Sequence, residues 1–334
     1  MNLKAYAANI KGDLSGAVSA AIISIPLSIG YGIIVYGPLG PEFLPYAALL
    51  GIFACLIGGI CASLLGGTPL QITAPKAPLS LILAAFVLPL TVSLQVQDPV
   101  SRNILIVGLA SLCVLAGGII QLLFGVLRLG NLIKYVPYPV VSGFMNGIAV
   151  ILILEQLGPL VGARSHVSLF DIFYTPTVVQ PLTLLVGLTT IIVIFCARRF
   201  IKVVPASLVG LLAGTAMFYA LEKISGTADL GPVIGNFSFH WPRPDILPQI
   251  ARILWNINLV DLLPRILVTG FVLGSIGALE SLLSSLAADN IAGTRHNSNK
   301  ELIGQGTGNV LNAVFSALPS AGSELHNMAN SRAG

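Results

Sequence analysis

The sequence predicts an all-α polytopic membrane protein in which two of the membrane helices are broken. Of its 334 residues, 55% are hydrophobic and only 9% are charged, against about 25% charged in an ordinary soluble domain. Mean hydropathy is +0.91, more apolar side chain than a water-soluble globule of this size can hide. The apolar residues fall in runs long enough to cross a bilayer, which takes about 20 residues. Two of the runs are interrupted by proline and small residues, at 67–78 and 317–330. Soluble enzymes, disordered chains and nucleic-acid binders are excluded, and a net charge of +4 on so few ionisable groups is no basic patch.

The first run, Ser15–Val35, carries Pro26 among Ser24, Ser28 and Tyr31. Proline removes a helical hydrogen bond, which predicts a break at mid-membrane. Either this is a plain kink, or the Ser28 and Tyr31 face lines a cavity. The second run, Leu44–Leu65, is uninterrupted. Between it and the third run, Ala77–Gln97, lies GTPLQITAPKAP (67–78), with Pro69, Pro75, Pro78 and Lys76. Non-helical backbone survives at membrane depth only where it is buried in protein or lines a cavity. The segment therefore reads as a short extended stretch that starts a half-helix, with Pro75 or Pro78 in its first turn; the alternative is a tight cytoplasmic loop. A half-helix N-terminus has unsatisfied N–H groups and partial positive charge, an anion site to which Lys76 adds a full charge.

Five further runs follow: Ile104–Leu127, Val140–Val161, Leu182–Ala197, Val203–Leu221 and Ile266–Ala287. The long connection between the last two suggests an interfacial amphipathic helix over Asp245–Leu263, after a turn at 242–245. A ninth, weaker run covers Leu302–Leu318, and a tenth begins near Ala321 after ALPSAGSELHNMAN (317–330), which repeats the pattern of proline, small residues and helix start. Two such interruptions in matching places of two halves point to a transporter binding site. The tenth run stops after a few turns at Gly334, so the chain reads as the N-terminal part of a longer protein. No signal peptide is evident.

Glu280, in GSIGALESLLSSLAAD (274–289), is an acid well inside the eighth run, and such a group is functional by default; the alternative is an acid paired with a base or hydrogen-bonded in a helix interface. Ser284 lies one turn on, on the same face. The carboxylate and hydroxyl offer hard oxygens for Na⁺; the carboxylate with a raised pKa could instead carry H⁺. Glu155, near the end of its run, reads as headgroup-exposed. Lysines and arginines favour a cytoplasmic N-terminus by nine to six. Cys55, Cys61, Cys113 and Cys196 lie in apolar runs without metal-ligand spacing and read as small buried hydrophobes. The four histidines are scattered, and no nucleophile–base spacing suggests an enzyme.

Five segments together resemble the sulfate permease (SulP) family of anion transporters: residues 12–32, 66–83, 135–162, 277–289 and 301–327. The GGTPLQITAP wording (66–75) is most similar to the bicarbonate-transporting branch. The resemblance implies two inverted repeats of seven spans, a core and a gate domain, and an anion held between the half-helices of spans three and ten. Residues 1–334 would then be spans one to nine and the start of ten of the transmembrane domain, with the rest of repeat two and a cytoplasmic STAS domain absent. Carried over, the anion site comprises Ser28, Tyr31, Thr73, Pro75, Lys76, Gly322 and Ser323. The cation or proton site comprises Glu280 and Ser284, with Glu324 nearby. A homodimer in the cell (inner) membrane and no cofactor other than Na⁺ as a coupling ion are implied.

The implied activity is secondary active transport of sulfate or bicarbonate, coupled to Na⁺ or H⁺ by a sliding, elevator-type motion. The alternatives are an anion channel on the same fold or a non-transporting fragment. Two departures from the family stand out. Ala74 and Lys76 flank the span-three proline where a glycine and a small or hydroxyl residue are usual, and His326 stands for the usual arginine of span ten. With Glu324 where a small residue is usual, a buried Lys76–Glu324 pair across the two tips is expected.

Overall fold

The computed structural model describes residues 10–94, 98–135, 138–162, 179–200, 206–225 and 259–333. The chain divides into two units, Met1–Val136 with Ile234–Gly334, and Pro137–Val233. The first holds helices α1 (Ile10–Tyr36), α2 (Leu44–Leu65), α3 (Ala77–Ser93) and α4 (Pro99–Val126). Later in the chain it adds α8 (Leu259–Ala292), α9 (Ser298–Val314) and α10 (Glu324–Ala333), with two short strands, β1 (Thr73–Pro75) and β2 (Ser320–Gly322). The second unit holds α5 (Tyr138–Val161), α6 (Pro181–Phe200) and α7 (Ala206–Ser225), with α6 packed on both neighbours.

Among the described residues, five helices are long and apolar enough to cross a membrane: α1, α2, α4, α6 and α8. Helix α3 is shorter for a structural reason. Its 17 residues rise about 26 Å, less than the roughly 30 Å of hydrocarbon, and β1 precedes them. Helix α9 is weakly apolar because Glu301, Gln305, Asn309 and Asn312 all point inward. Their spacing of four, four and three residues places them on one helical stripe.

Helices α1 and α2 cross at glycines. A Cβ on Gly32 would meet the Ala47 carbonyl, and one on Gly51 the Ser28 carbonyl. Such backbone approach is how membrane helices associate when lipid offers no hydrophobic drive between them. Helix α4 packs on α8 and α9 in the same manner. Beneath these contacts lies a core that includes Tyr36, Leu50, Phe53, Leu83, Leu105 and Leu109. At the head of α4, Asp98 caps the Val100 and Ser101 amides at 3.4 and 2.9 Å. The Ser101 hydroxyl and amide hold its carboxyl below the usual aspartate range.

Several expectations are corrected. Helix α1 runs unbroken through Pro26; one missing N–H does not end a helix whose other bonds remain. Helix α8 begins at Leu259, not Ile266, so 259–263 are continuous with the eighth helix. The rest of that expected helix, and the 242–245 turn, lie outside the described residues, as does the Glu155 side chain. All four cysteines are free, but Cys113 alone is buried, Cys55 and Cys61 are partly so, and Cys196 is exposed.

Candidate binding site

The two interrupted segments meet. β1 and β2 pair antiparallel, with Thr73 opposite Gly322, Ala74 opposite Ala321 and Pro75 opposite Ser320. All six residues are buried. Backbone at this depth must find partners inside the protein, and polar side chains provide them. Asn327 Oδ1 accepts from the Ile72 amide at 2.7 Å, and Ser281 Oγ accepts from the Gly322 amide at 3.2 Å. Asn309 grips Ser320 from both sides, accepting from its amide at 2.8 Å and donating to its carbonyl at 2.9 Å. The Ser323 amide donates to the Ile72 carbonyl at 2.9 Å, which ties the two segments just beyond the strands.

Each strand then feeds a helix. Lys76 is the extended N-cap of α3, and its carbonyl accepts the first helical bond from Ser80 at 2.9 Å. Of the two prolines considered for the first turn, Pro78 occupies it, and Pro75 stays in the strand. On the other side the Ser323 carbonyl accepts from the Asn327 amide at 3.0 Å and opens α10. The first-turn amides of both helices have no partner within their own helix.

The third wall is α8 at residues 280–285. The Lys76 ammonium lies 3.0 Å from Glu280 Oε2, and the Glu280 side chain is only 2% exposed. This corrects the expected Lys76–Glu324 pair. Glu324 is exposed on the first turn of α10, whereas α8 passes directly beside the Lys76 cap. Glu280 Oε1 is buried without a hydrogen-bond partner. Ser284 is buried, and its hydroxyl accepts from Asn327 Nδ2 at 3.0 Å. Tyr31 of α1 lies within electrostatic reach of Glu280. Ser28 Oγ is buried with no oxygen or nitrogen partner. Thr73 is buried, its hydroxyl accepting from Gln305 Nε2 at 2.6 Å.

The seven expected anion-site residues divide accordingly. Thr73, Pro75, Gly322 and Ser323 build the strand pair or its edge. The Gly322 and Ser323 amides are engaged by Ser281 and Ile72, so they are structural donors rather than free ones. Lys76 pairs with Glu280 and Tyr31 lies within its electrostatic reach, whereas the buried Ser28 hydroxyl lies beside Cys55.

Sequence reasoning missed the scaffold behind the tips. Glu301 is buried, with Oε2 accepting from the Gly67 amide at 2.8 Å. Its Oε1 accepts from Gln71 Nε2 at 3.1 Å and Gln305 Nε2 at 2.9 Å. These charge-assisted bonds fix the loop that enters β1. The signal was available in the recurrence of Glu301, Gln305 and Asn309 every four residues along one face of a weakly apolar run. His326 is buried with neither ring nitrogen hydrogen-bonded, and it feels the Lys76 charge. No group of three or more His, Cys, Asp or Glu able to hold a metal occurs among the described residues.

A family model described as the sulfate permease family matches residues 10–334. The chain belongs to the sulfate permease family. It is 32% identical over 339 residues to the bicarbonate transporter BicA of Picosynechococcus sp. (strain ATCC 27264 / PCC 7002 / PR-6), covering 99% of this chain and 55% of that one. It is 28% identical to the putative sulfate transporter YvdB of Bacillus subtilis (strain 168), covering 96% and 56%. Among solved structures, the transmembrane domain of a cyanobacterial BicA superposes with a TM-score of 0.79 at 31% identity, over 98% of this chain and 77% of that one. The structure of SLC26A9, at 17% identity and a TM-score of 0.73 over 97% and 51%, shares the fold. The chain thus spans about half the length of the curated family members it matches. With its apolar helices, it is an integral membrane protein of all-helical transporter fold.

Proposed function

We propose that this protein forms the anion-binding part of a secondary active transporter for a small inorganic anion, bicarbonate or sulfate. The observation that carries the reading is the antiparallel β1–β2 pair, which joins two helix starts in buried surroundings beside Lys76. The anion is held by first-turn amides of α3 and α10, whose dipoles favour negative charge, by the Lys76 charge, and by Ser28 and Tyr31. Thr73, Pro75, Gly322 and Ser323 shape the cradle. A cation gradient, Na⁺ or H⁺, enters through the Glu280 carboxylate with Ser284 as neighbour. The first unit, which contains both tips, is the core that slides and carries the site across the membrane.

In the cell this is a homodimer in the inner membrane with a cytoplasmic N-terminus. The relatives named for bicarbonate and sulfate transport support the substrate class. The test is uptake of radiolabelled bicarbonate and sulfate into proteoliposomes holding the full-length protein. Uphill accumulation that collapses with the cation gradient is expected. Ohmic anion currents would identify a channel, and no anion movement in either assay would refute the reading.

A further inference from the structure

We propose that the Lys76 ammonium is a tethered counter-cation, standing where a coupling Na⁺ would bind Glu280, so that this protein carries its anion without Na⁺. The proposal rests on the anion-transport reading above and decides which cation its site can use. A sodium ion needs several hard oxygens turned towards it. Apart from Glu280 Oε1, which is buried without a hydrogen-bond partner, the oxygens of Glu280, Ser281 and Ser284 are turned towards donors instead. Glu280 Oε2 has Lys76 Nζ at 3.0 Å. Ser284 Oγ accepts from Asn327 Nδ2 at 3.0 Å. The Ser281 carbonyl accepts from Gln71 Nε2 at 3.0 Å and from Ser285 Oγ at 2.8 Å.

A Na⁺ entering this group would face those hydrogens and a second positive charge on the same carboxylate. Like charges repel strongly where little water screens them, and the Lys76 and Glu280 side chains are only 17% and 2% exposed. The lysine is also held in place. It caps α3 directly after a buried, paired strand, so its ammonium returns to Glu280 each time the site is empty.

The experiment compares NaCl with choline chloride at constant ionic strength. The thermal unfolding midpoint of the purified protein is read with and without bicarbonate or sulfate, and bicarbonate uptake is followed in proteoliposomes. The wild-type midpoint and uptake are expected to be the same in both salts. Lys76→Ala is expected to gain a Na⁺-dependent rise of about 3 °C or more at saturating salt, because a ligand bound only by the folded state stabilises it. Adding Glu280→Gln to that variant removes the rise. Lys76→Met, which keeps the packing volume, serves if the alanine variant does not fold. Wild-type uptake or midpoint that climbs with Na⁺ overturns the proposal, as does a folded Lys76 variant indifferent to Na⁺. If neither anion shifts the wild-type midpoint nor enters the vesicles, the anion-transport reading falls instead.

Discussion

The two half-helix tips share a backbone plan and differ in how they treat charge. Each is a three-residue buried strand leading into a helix start, and the strands pair with each other. The first tip caps its helix with Lys76, whose charge is answered by Glu280 from a third element. The second begins after Ser323 and has no cation in its first turn; His326 is buried there with both ring nitrogens unpartnered. Neutral amides hold the second tip together, with Asn309 on Ser320 and Asn327 reaching across to Ile72. The backbone geometry of the two tips is therefore alike while their charges differ: the first carries the Lys76–Glu280 pair, and the second has the exposed Glu324 at its helix start.

Breaking the charged side should cost most. Glu280→Gln leaves a largely buried ammonium without its partner, and we expect a loss of about 3 kcal/mol in unfolding free energy, measured by denaturation in detergent. The double variant Lys76→Met with Glu280→Gln should recover most of that loss, since an apolar replacement of both charges removes the desolvation cost. A single variant as stable as wild type would show that the pair does not form.

The neutral side should cost less. Asn327→Ala removes the acceptor for the partly buried Ile72 amide and leaves its N–H without a protein partner, for about 1 kcal/mol. Hydrogen–deuterium exchange should show the Ile72 amide exchanging faster, and unchanged protection would argue against the bond. The smallest change sharpens the asymmetry by reducing it. His326→Arg gives the second tip a charge of its own, and the half-saturating anion concentration for uptake should fall about fivefold, the factor that about 1 kcal/mol provides. An unchanged concentration dependence would place that side chain away from the anion.

Much of this was legible in the chain itself. The 44–65 helix was bounded from hydropathy alone and matches α2 at both ends. The 67–78 and 317–330 interruptions were legible because proline and small residues cannot continue a span, and Glu280 because an acid there is costly. The Lys76 partner was not legible. Glu324 and Glu280 are both plausible acids in one dimension, and only the path of α8 beside the α3 cap chose between them. Pro26 misled because its missing N–H removes a single bond, and the remaining bonds of α1 carry the helix through it.

Sequence by itself determined that this protein lives in lipid, where its helices must break, and that an acid would stand near the break. These follow from local properties, namely transfer energy, a missing N–H and the price of burying charge. The tertiary structure decided which groups answer one another: β1 with β2, Lys76 with Glu280, Asn327 with Ile72, and Glu301 with the loop before β1. Those pairings join residues more than 200 positions apart. They are set by which backbones can approach closely enough to satisfy polar groups that have no water to turn to.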